Sequence, residues 1–245
     1  MSWTSALKLA ASLAAIGYAG TAIAGTIVIR SSGPSAKIYP AGKSLADGQK
    51  VVLKAGDMLV VLDPRGTRTL SGTGSFNVGG SATATAAPST FAALIGNSGT
   101  RQVRTGAVRG SNTTQPRVAS LWYIDTAKSG TMCLRDLSRA TLWRASMTTP
   151  VTLTLTRVSD GKSVPLGFSA GQAVRAWPMA DLPLAADTDY RISGPGLATP
   201  TTLRLAKVAA TTDAVDEVAA TLIDNGCKAQ LDVLIEAGTA PATTG

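Results

Sequence analysis

Short runs of β-branched and apolar residues, separated by clusters of turn-forming residues, recur along most of the chain. The clearest run is Val151–Val158, in which apolar residues alternate with threonines over most of its length. Ser159-Asp160-Gly161 then turns the chain into a second run, Lys162–Phe168. A period of two places alternate side chains on opposite faces of a strand. Turns recurring every ~8–12 residues therefore favour a mainly β fold, a sandwich or a barrel, over long helices.

The first part of the chain, Gly25–Phe76 (residues 25–76), is expected to form a small β module. The segments between its apolar runs are rich in Gly, Pro, Ser and Asp, which favour tight turns. Strands this short are expected to close into a barrel or a small sandwich. The five predicted strands are Thr26–Arg30, Lys37–Tyr39, Lys50–Leu53, Met58–Leu62 and Thr67–Ser71.

The residues of this module resemble a FecR-type domain. Gly25–Arg30 is similar to the G-x-V opening strand of that family, Leu45–Asp57 to its g-D-x-v hairpin, and Val60–Leu70 to its G-x-r-v-x-L closing hairpin. The resemblance covers about 50 residues, a fifth of the chain. It implies a periplasmic β module that signals or binds rather than catalyses. Full-length FecR regulators carry a cytoplasmic segment and a membrane span before this domain. A signal-peptide pattern stands there instead, so the anti-sigma role does not follow.

Residues 118–238 are expected to form a larger unit, an antiparallel β-sandwich with short C-terminal helices. Alternating patterns and regular turns predict about eight strands between Ser120 and Val208. The period then changes to that of a helix over residues 212–237, with a stop signal at Asn225-Gly226. We therefore predict two short helices packed on the second sheet. Their apolar positions are Val215, Val218, Ala219, Leu222, Ile223, Cys227, Leu231, Leu234 and Ile235.

The chain has two cysteines, Cys133 in a predicted strand and Cys227 on the apolar face of a predicted helix. In an exported chain an even, sparse count favours one disulfide, which would attach the helices to the β unit. The alternative is two buried free thiols. A zinc site fits poorly, because the chain has no histidine and no CxxC motif.

Export is predicted by residues 1–24, which have the pattern of a signal peptide. Met1–Lys8 is polar with one cation, and the uncharged apolar segment Leu9–Ala24 ends in the small-x-small pattern Ala22-Ile23-Ala24. Cleavage would leave Gly25 as the first residue of a periplasmic or secreted protein that is not integral to the membrane. The alternative is an uncleaved anchor, although 16 apolar residues are fewer than the ~20 that a spanning helix needs.

Positive charge is concentrated between Asp63 and Asp125, a stretch without any acid in a chain of net charge +8. Residues 77–117 begin with a low-complexity run and are expected to be a linker, and residues 239–245 a disordered tail. A basic linker is a candidate contact for an anionic envelope polymer or an envelope protein, and the alternative is a solvated loop. No motif or interleaved aromatic indicates nucleic-acid binding. The candidate contact residues are Arg101, Arg104, Arg109 and Arg117.

Catalytic patterns are weak throughout. Without histidine, Ser-His-Asp and Cys-His arrangements are excluded. Ser159 and Lys162 have S-x-x-K spacing but lie on a predicted hairpin turn, and no phosphate-binding or dinucleotide-binding loop is complete. Paired carboxylates for glycoside hydrolysis would have to come from one turn-rich loop, at Asp181, Asp187 and Asp189. No cofactor is indicated.

Three tryptophans lie on predicted strands, namely Trp122, Trp143 and Trp177. They are either core residues or a ligand face for sugars, on which indole rings stack. Together these patterns predict an exported, non-catalytic envelope protein with a binding, regulatory or accessory role. The alternatives are a structural or assembly component of the envelope and, with less support, a hydrolase of peptidoglycan or polysaccharide.

Overall fold

The computed structural model describes residues 25–79, 90–96, 120–209 and 213–239. The fold is mainly β with short C-terminal helices, as the sequence predicts. The predicted signal segment, most of the linker and the tail lie outside the described residues.

The N-terminal unit is built from a four-stranded antiparallel sheet and a separate two-stranded pair. The sheet has the order β2-β1-β4-β5, and β3 pairs with β6. An apolar core that includes Val28, Leu59 and Val61 lies between the strands. The strands are β1 Thr26–Ser32, β2 Ser44–Leu45, β3 Lys50–Leu53, β4 Met58–Asp63, β5 Gly66–Ser71 and β6 Gly74–Asn77.

Two parts of this unit differ from the sequence prediction. Lys37–Tyr39 forms turns instead of a strand, and the buried Tyr39 hydroxyl accepts a hydrogen bond from the Val52 nitrogen at 3.1 Å. The strands β2 and β6 were not predicted, because β2 has two residues and β6 begins at a glycine in a polar run.

Asp57, the acid in the segment that resembles the FecR-type hairpin, is buried and accepts hydrogen bonds from the nitrogens of Ser35 at 2.8 Å and Lys54 at 2.6 Å. This carboxylate therefore joins two turns.

The second unit contains eight strands in two sheets that share one apolar core. A five-stranded sheet has the order β11-β10-β13-β14-β8, and a three-stranded sheet has the order β12-β9-β7. Two pairings, β14 with β8 and β7 with β9, are parallel, so the sandwich is mixed and not purely antiparallel. The strands are β7 Ile124–Asp125, β8 Gly130–Leu134, β9 Thr141–Trp143, β10 Val151–Arg157, β11 Ser163–Phe168, β12 Val174–Ala176, β13 Asp189–Ser193 and β14 Thr201–Lys207.

Three helices form a layer that contacts both β units. These are α1 Thr90–Ile95, α2 Val215–Asp224 and α3 Lys228–Thr239. Their apolar side chains share a core with Ile27, Ile29 and Leu62 of the first unit and with Trp122 and Cys133 of the second. The predicted packing on the second sheet is thus only part of the arrangement, because α2 also packs on β1 and β4 and α3 on β5. Thr26–Ile29 at the start of β1 are all buried, so both faces of the strand are covered there. This explains why the apolar run of β1 is continuous and does not alternate.

The Cys133–Cys227 disulfide is present and joins β8 to the start of α3, as predicted. Beside it, the buried Gln230 side chain completes the edge of β8. Its Oε1 accepts a hydrogen bond from the Cys133 nitrogen at 2.7 Å, and its Nε2 donates to the carbonyls of Cys133 and Leu121, both at 2.8 Å. Unpaired backbone groups on an edge strand are otherwise available to another chain. Gln230 therefore both anchors α3 and closes this edge.

Candidate binding face

The outward surface of the five-stranded sheet carries hydroxyl and guanidinium groups, and we call it the hydroxyl face. Side chains alternate along each strand, so the leucines of β10 point into the core while its threonines point out. The same alternation in β11, β13 and β14 places polar groups on one exposed surface. The hydroxyl face comprises Thr131, Thr152, Thr154, Thr156, Ser163, Arg191, Ser193, Thr202 and Arg204.

Strand register aligns four of these residues in a row across the sheet. Thr156 pairs with Ser163 on one side and with Arg191 on the other, and Arg191 pairs with Thr202. The hydroxyls of Thr156 and Ser163 are 2.8 Å apart, within hydrogen-bond distance. The Ser129 hydroxyl extends the row by accepting a hydrogen bond from the Thr202 nitrogen at 3.1 Å. Arg191 is thus flanked by hydroxyl groups on both neighbouring strands.

The arginines of this surface differ in their partners. Arg204 forms an ion pair with Asp189 at 2.8 Å, and that hydrogen bond lowers the pKa of the Asp189 carboxyl. Asp189 is the one acid in these five strands. Within the described part of the chain, no carboxylate pairs with Arg191. β11 is an edge strand of the five-stranded sheet, and its Gly167 carbonyl accepts a hydrogen bond from Arg175, which lies on β12 of the other sheet. Its guanidinium is adjacent to the outward side of Gly167, where a side chain would otherwise stand.

This arrangement suits an anionic ligand with many hydrogen-bonding groups. Guanidinium groups bind carboxylates and phosphates through paired N–H donors, and hydroxyls both donate and accept. The two aromatic residues of the five strands, Phe168 and Tyr190, are buried in the core. Recognition on the hydroxyl face would therefore depend on charge and hydrogen bonds and not on stacking against sugar rings.

The three tryptophans that were candidates for a sugar-binding face are all buried, so they do not form such a face. Trp122 lies in the helical core and donates from Nε1 to the Ile95 carbonyl at 2.7 Å, with the Arg135 guanidinium 4.5 Å from its ring centroid. Trp177 lies in the sandwich core, where it donates to the Leu182 carbonyl at 2.8 Å and packs edge-on against Tyr190 at 4.9 Å. Trp143 is on β9 and 6% exposed. All three tryptophans are therefore core residues, the first of the two interpretations given above.

The predicted basic contact residues Arg101, Arg104, Arg109 and Arg117 lie outside the described residues. Nearer the N-terminus, Arg65 and Arg68 are both ion-paired with the buried Asp63. Of the three acids considered for glycoside hydrolysis, Asp189 begins β13 and is paired with Arg204, and Asp187 has a positive φ of 56°, typical of a turn. Among residues 25–79, 90–96, 120–209 and 213–239, no group of three acidic, histidine or cysteine side chains is arranged to hold a metal ion.

Sequence reasoning missed the hydroxyl face and the buried Arg144. The signal for the face was present, since threonines occupy alternate positions of Val151–Arg157, and β13 and β14 each carry one arginine at an outward position. The local sequence pattern does not determine the strand order, which places β13 between β10 and β14. Arg144 directly follows β9, and nothing in the local sequence indicates that its side chain is buried.

Comparison with known proteins gives no relative. No family model matches the chain, and no curated protein or solved structure matches it either. The resemblance to a FecR-type domain therefore stays a prediction. In the described part of the chain, none of the helices has the length and apolar character needed to cross a membrane.

Proposed function

We propose that this chain is an exported, non-catalytic envelope protein that binds an anionic envelope polymer on the hydroxyl face. Export is supported by the signal-peptide pattern of residues 1–24 and by the Cys133–Cys227 disulfide, a bond that persists in oxidising compartments. A FecR-like module would fit a regulatory or accessory role in the periplasm. The predicted linker arginines would add charge to the same interaction.

The observation that carries this proposal is the environment of Arg191. The Arg191 guanidinium is exposed and has no carboxylate partner among the described residues, and its strand neighbours are Thr156 and Thr202, so it presents donors that an anionic group can bind. The hydroxyl face spans five strands, so an extended polymer can contact it at successive positions. Arg175 at the edge adds a further cation beside Arg191 and Arg204 on the same side of the sheet.

A second candidate function, a structural or assembly component, is favoured by apolar side chains on the N-terminal unit. Ile38, Val52 and Met58 are each at least half exposed, which is unusual for large apolar residues in a unit with its own core. Such side chains would favour contact with another protein where they form one continuous apolar patch. Stoichiometric oligomers on gentle extraction from the envelope would support this candidate over polymer binding.

Affinity electrophoresis of the purified protein in gels that contain polygalacturonate tests polymer binding. We expect retardation that weakens with added salt, and no retardation in gels with neutral dextran, because exposed charge contacts are screened. The double substitution Arg175→Ser and Arg191→Ser should weaken binding about tenfold, the loss expected for about two exposed charged hydrogen bonds.

The matched control is the double substitution Lys54→Ser and Arg139→Ser, which also removes two exposed cations, both outside the five-stranded sheet. This variant should bind within twofold of the unsubstituted protein. Equal retardation of the double variant and the control would show that net charge, and not the hydroxyl face, governs binding.

A further inference from the structure

The first described residue, Gly25, contacts the helical layer through its backbone nitrogen. This nitrogen donates to Oδ2 of Asp216 at 2.9 Å, and the two residues are 191 positions apart in the chain. Asp216 lies in the first turn of α2. Its other oxygen, Oδ1, is buried and has no hydrogen-bond partner among the described residues. Among the described residues, the carboxylate thus has one oxygen paired with the Gly25 nitrogen and one oxygen unpaired.

The space around Gly25 fits a glycine at this position. A side-chain carbon built there would lie 3.2 Å from Asp216 Oδ2 and 3.8 Å from the Leu45 carbonyl oxygen. Without that carbon, the nitrogen can approach the carboxylate closely. In the sequence, Gly25 directly follows Ala22-Ile23-Ala24, the pattern expected at a signal-peptidase site.

We propose that cleavage of the Ala24–Gly25 peptide bond creates an α-ammonium group that forms an ion pair with Asp216. In this step signal peptidase adds one water across the bond. The carboxylate remains on Ala24, and the amine released on Gly25 takes up a proton at neutral pH. The proposal rests on the export that the proposed function includes. It adds a processing-dependent contact between the first strand and the C-terminal helices.

The chemistry of the two nitrogens explains why processing would matter. A peptide N–H is neutral and offers one donor, so it satisfies one oxygen of Asp216. An ammonium group carries a full charge and three donors, so it can reach Oδ1 as well as Oδ2. Buried polar atoms left without a partner are costly, and hydrogen bonds between charged groups are the stronger class. The Asp216 carboxylate is therefore better matched by the mature N-terminus than by the uncleaved chain.

The position of this contact gives it a structural consequence. Gly25 leads directly into β1, which supplies Ile27 and Ile29 to the helical core. Asp216 is flanked in α2 by Val215 and followed by Val218, which are buried in the same core. The ion pair would thus fasten the N-terminal sheet to α2 only after export and cleavage. The uncleaved precursor would hold this junction less firmly.

The test uses the full chain, expressed with residues 1–24 in a bacterium that exports it and purified from the periplasm. Mass spectrometry of the N-terminal peptide should show a chain that begins at Gly25. The native protein is then treated with a limiting amount of an N-hydroxysuccinimide ester at neutral pH, and labelling of the Gly25 amine is compared with that of exposed lysines. In the unsubstituted protein this amine should be labelled about tenfold more slowly than after unfolding in urea.

Two variants with the same loss of charge separate the ion pair from the helix dipole. Asp216→Asn should raise Gly25 labelling about tenfold and lower the melting temperature by about 3–8 °C. Glu217→Gln removes the neighbouring acid in the same helical turn, and it should leave Gly25 labelling within twofold of the unsubstituted value. Because the first measurement needs no variant, the proposal can be tested even if Asp216→Asn fails to fold.

Each contrary outcome has a distinct meaning. A chain that begins at Gly25 but whose amine reacts equally in the folded and unfolded states overturns the ion pair and leaves export intact. Equal effects of Asp216→Asn and Glu217→Gln on the labelling of Gly25 also overturn the ion pair and leave export intact. A chain cleaved at another bond also overturns this proposal while export stands. Recovery of a chain that retains residues 1–24 overturns both this proposal and the export on which it rests.

Discussion

Replacing both Cys133 and Cys227 by alanine is expected to lower the free energy of unfolding by about 4–5 kcal/mol. The disulfide closes a loop with a sequence separation of 94, so its removal greatly increases the conformational freedom of the unfolded chain. Both cysteines are fully buried in the helical core. A loss of this size is a large share of the ~5–15 kcal/mol that stabilises most domains.

Urea unfolding followed by tryptophan fluorescence measures this effect, with the buried Trp122 as a reporter within the same core. The midpoint for the double variant should fall well below that of the oxidised protein. Reductant should lower the midpoint of the unsubstituted protein and have no effect on the double variant, which serves as the internal control. A difference below about 1 kcal/mol between oxidised and reduced protein would show that the helices are held by packing alone.

Replacing Arg144 by methionine is expected to cost about 2–4 kcal/mol of folding free energy. This arginine is buried, and its guanidinium donates to three backbone carbonyls, those of Gln172 at 2.9 Å, Thr149 at 2.9 Å and Ser169 at 2.8 Å. It also lies over the Phe168 ring at 5.2 Å from the centroid. Methionine keeps most of the apolar stem but removes the guanidinium donor from all three carbonyls, and of these the Ser169 carbonyl keeps a hydrogen bond from the Gln172 nitrogen at 3.1 Å.

Arg144→Lys separates charge from geometry, because an ammonium group retains the charge but cannot span three carbonyls as the planar guanidinium does. We expect lysine to recover less than half of the loss. Arg139→Met, at an exposed position, is the matched control and should change stability by less than about 0.5 kcal/mol. Thermal unfolding of the three variants gives the comparison, and equal stability of Arg144→Met and Arg139→Met would contradict the structural role of Arg144.

The strands of the second unit were predictable because local patterns determine them. Val151–Arg157 buries its leucines and exposes its threonines as strict alternation requires, and the turn at Ser159–Gly161 follows where the sequence places it. The helix break after Asp224 was also local, since Asn225-Gly226 ends α2 and Gly226 has a positive φ of 68°. In each case the deciding interactions lie within a few residues of one another.

Non-local pairings were the part that could not be predicted. The parallel pairing of β8 with β14 joins segments that are about 70 residues apart, and no local pattern specifies it. The two buried faces of β1 depend on the arrival of α2 from the other end of the chain. The hydroxyl face follows the same rule, because Thr156 and Arg191 meet only through strand order. Candidate site residues chosen by type alone, such as the tryptophans, were therefore assigned without knowledge of which face they occupy.

The central claim, that the hydroxyl face binds an anionic envelope polymer, is tested most directly by co-sedimentation with the envelope of the organism that makes the protein. The exported full chain would be compared with the Arg175→Ser and Arg191→Ser double variant. A further variant would carry Arg101→Glu, Arg104→Glu and Arg109→Glu in the predicted linker. We predict that the double variant loses most of its envelope binding at low salt while its melting temperature stays unchanged. Full binding by the double variant, with loss of binding by the linker variant alone, would contradict the claim.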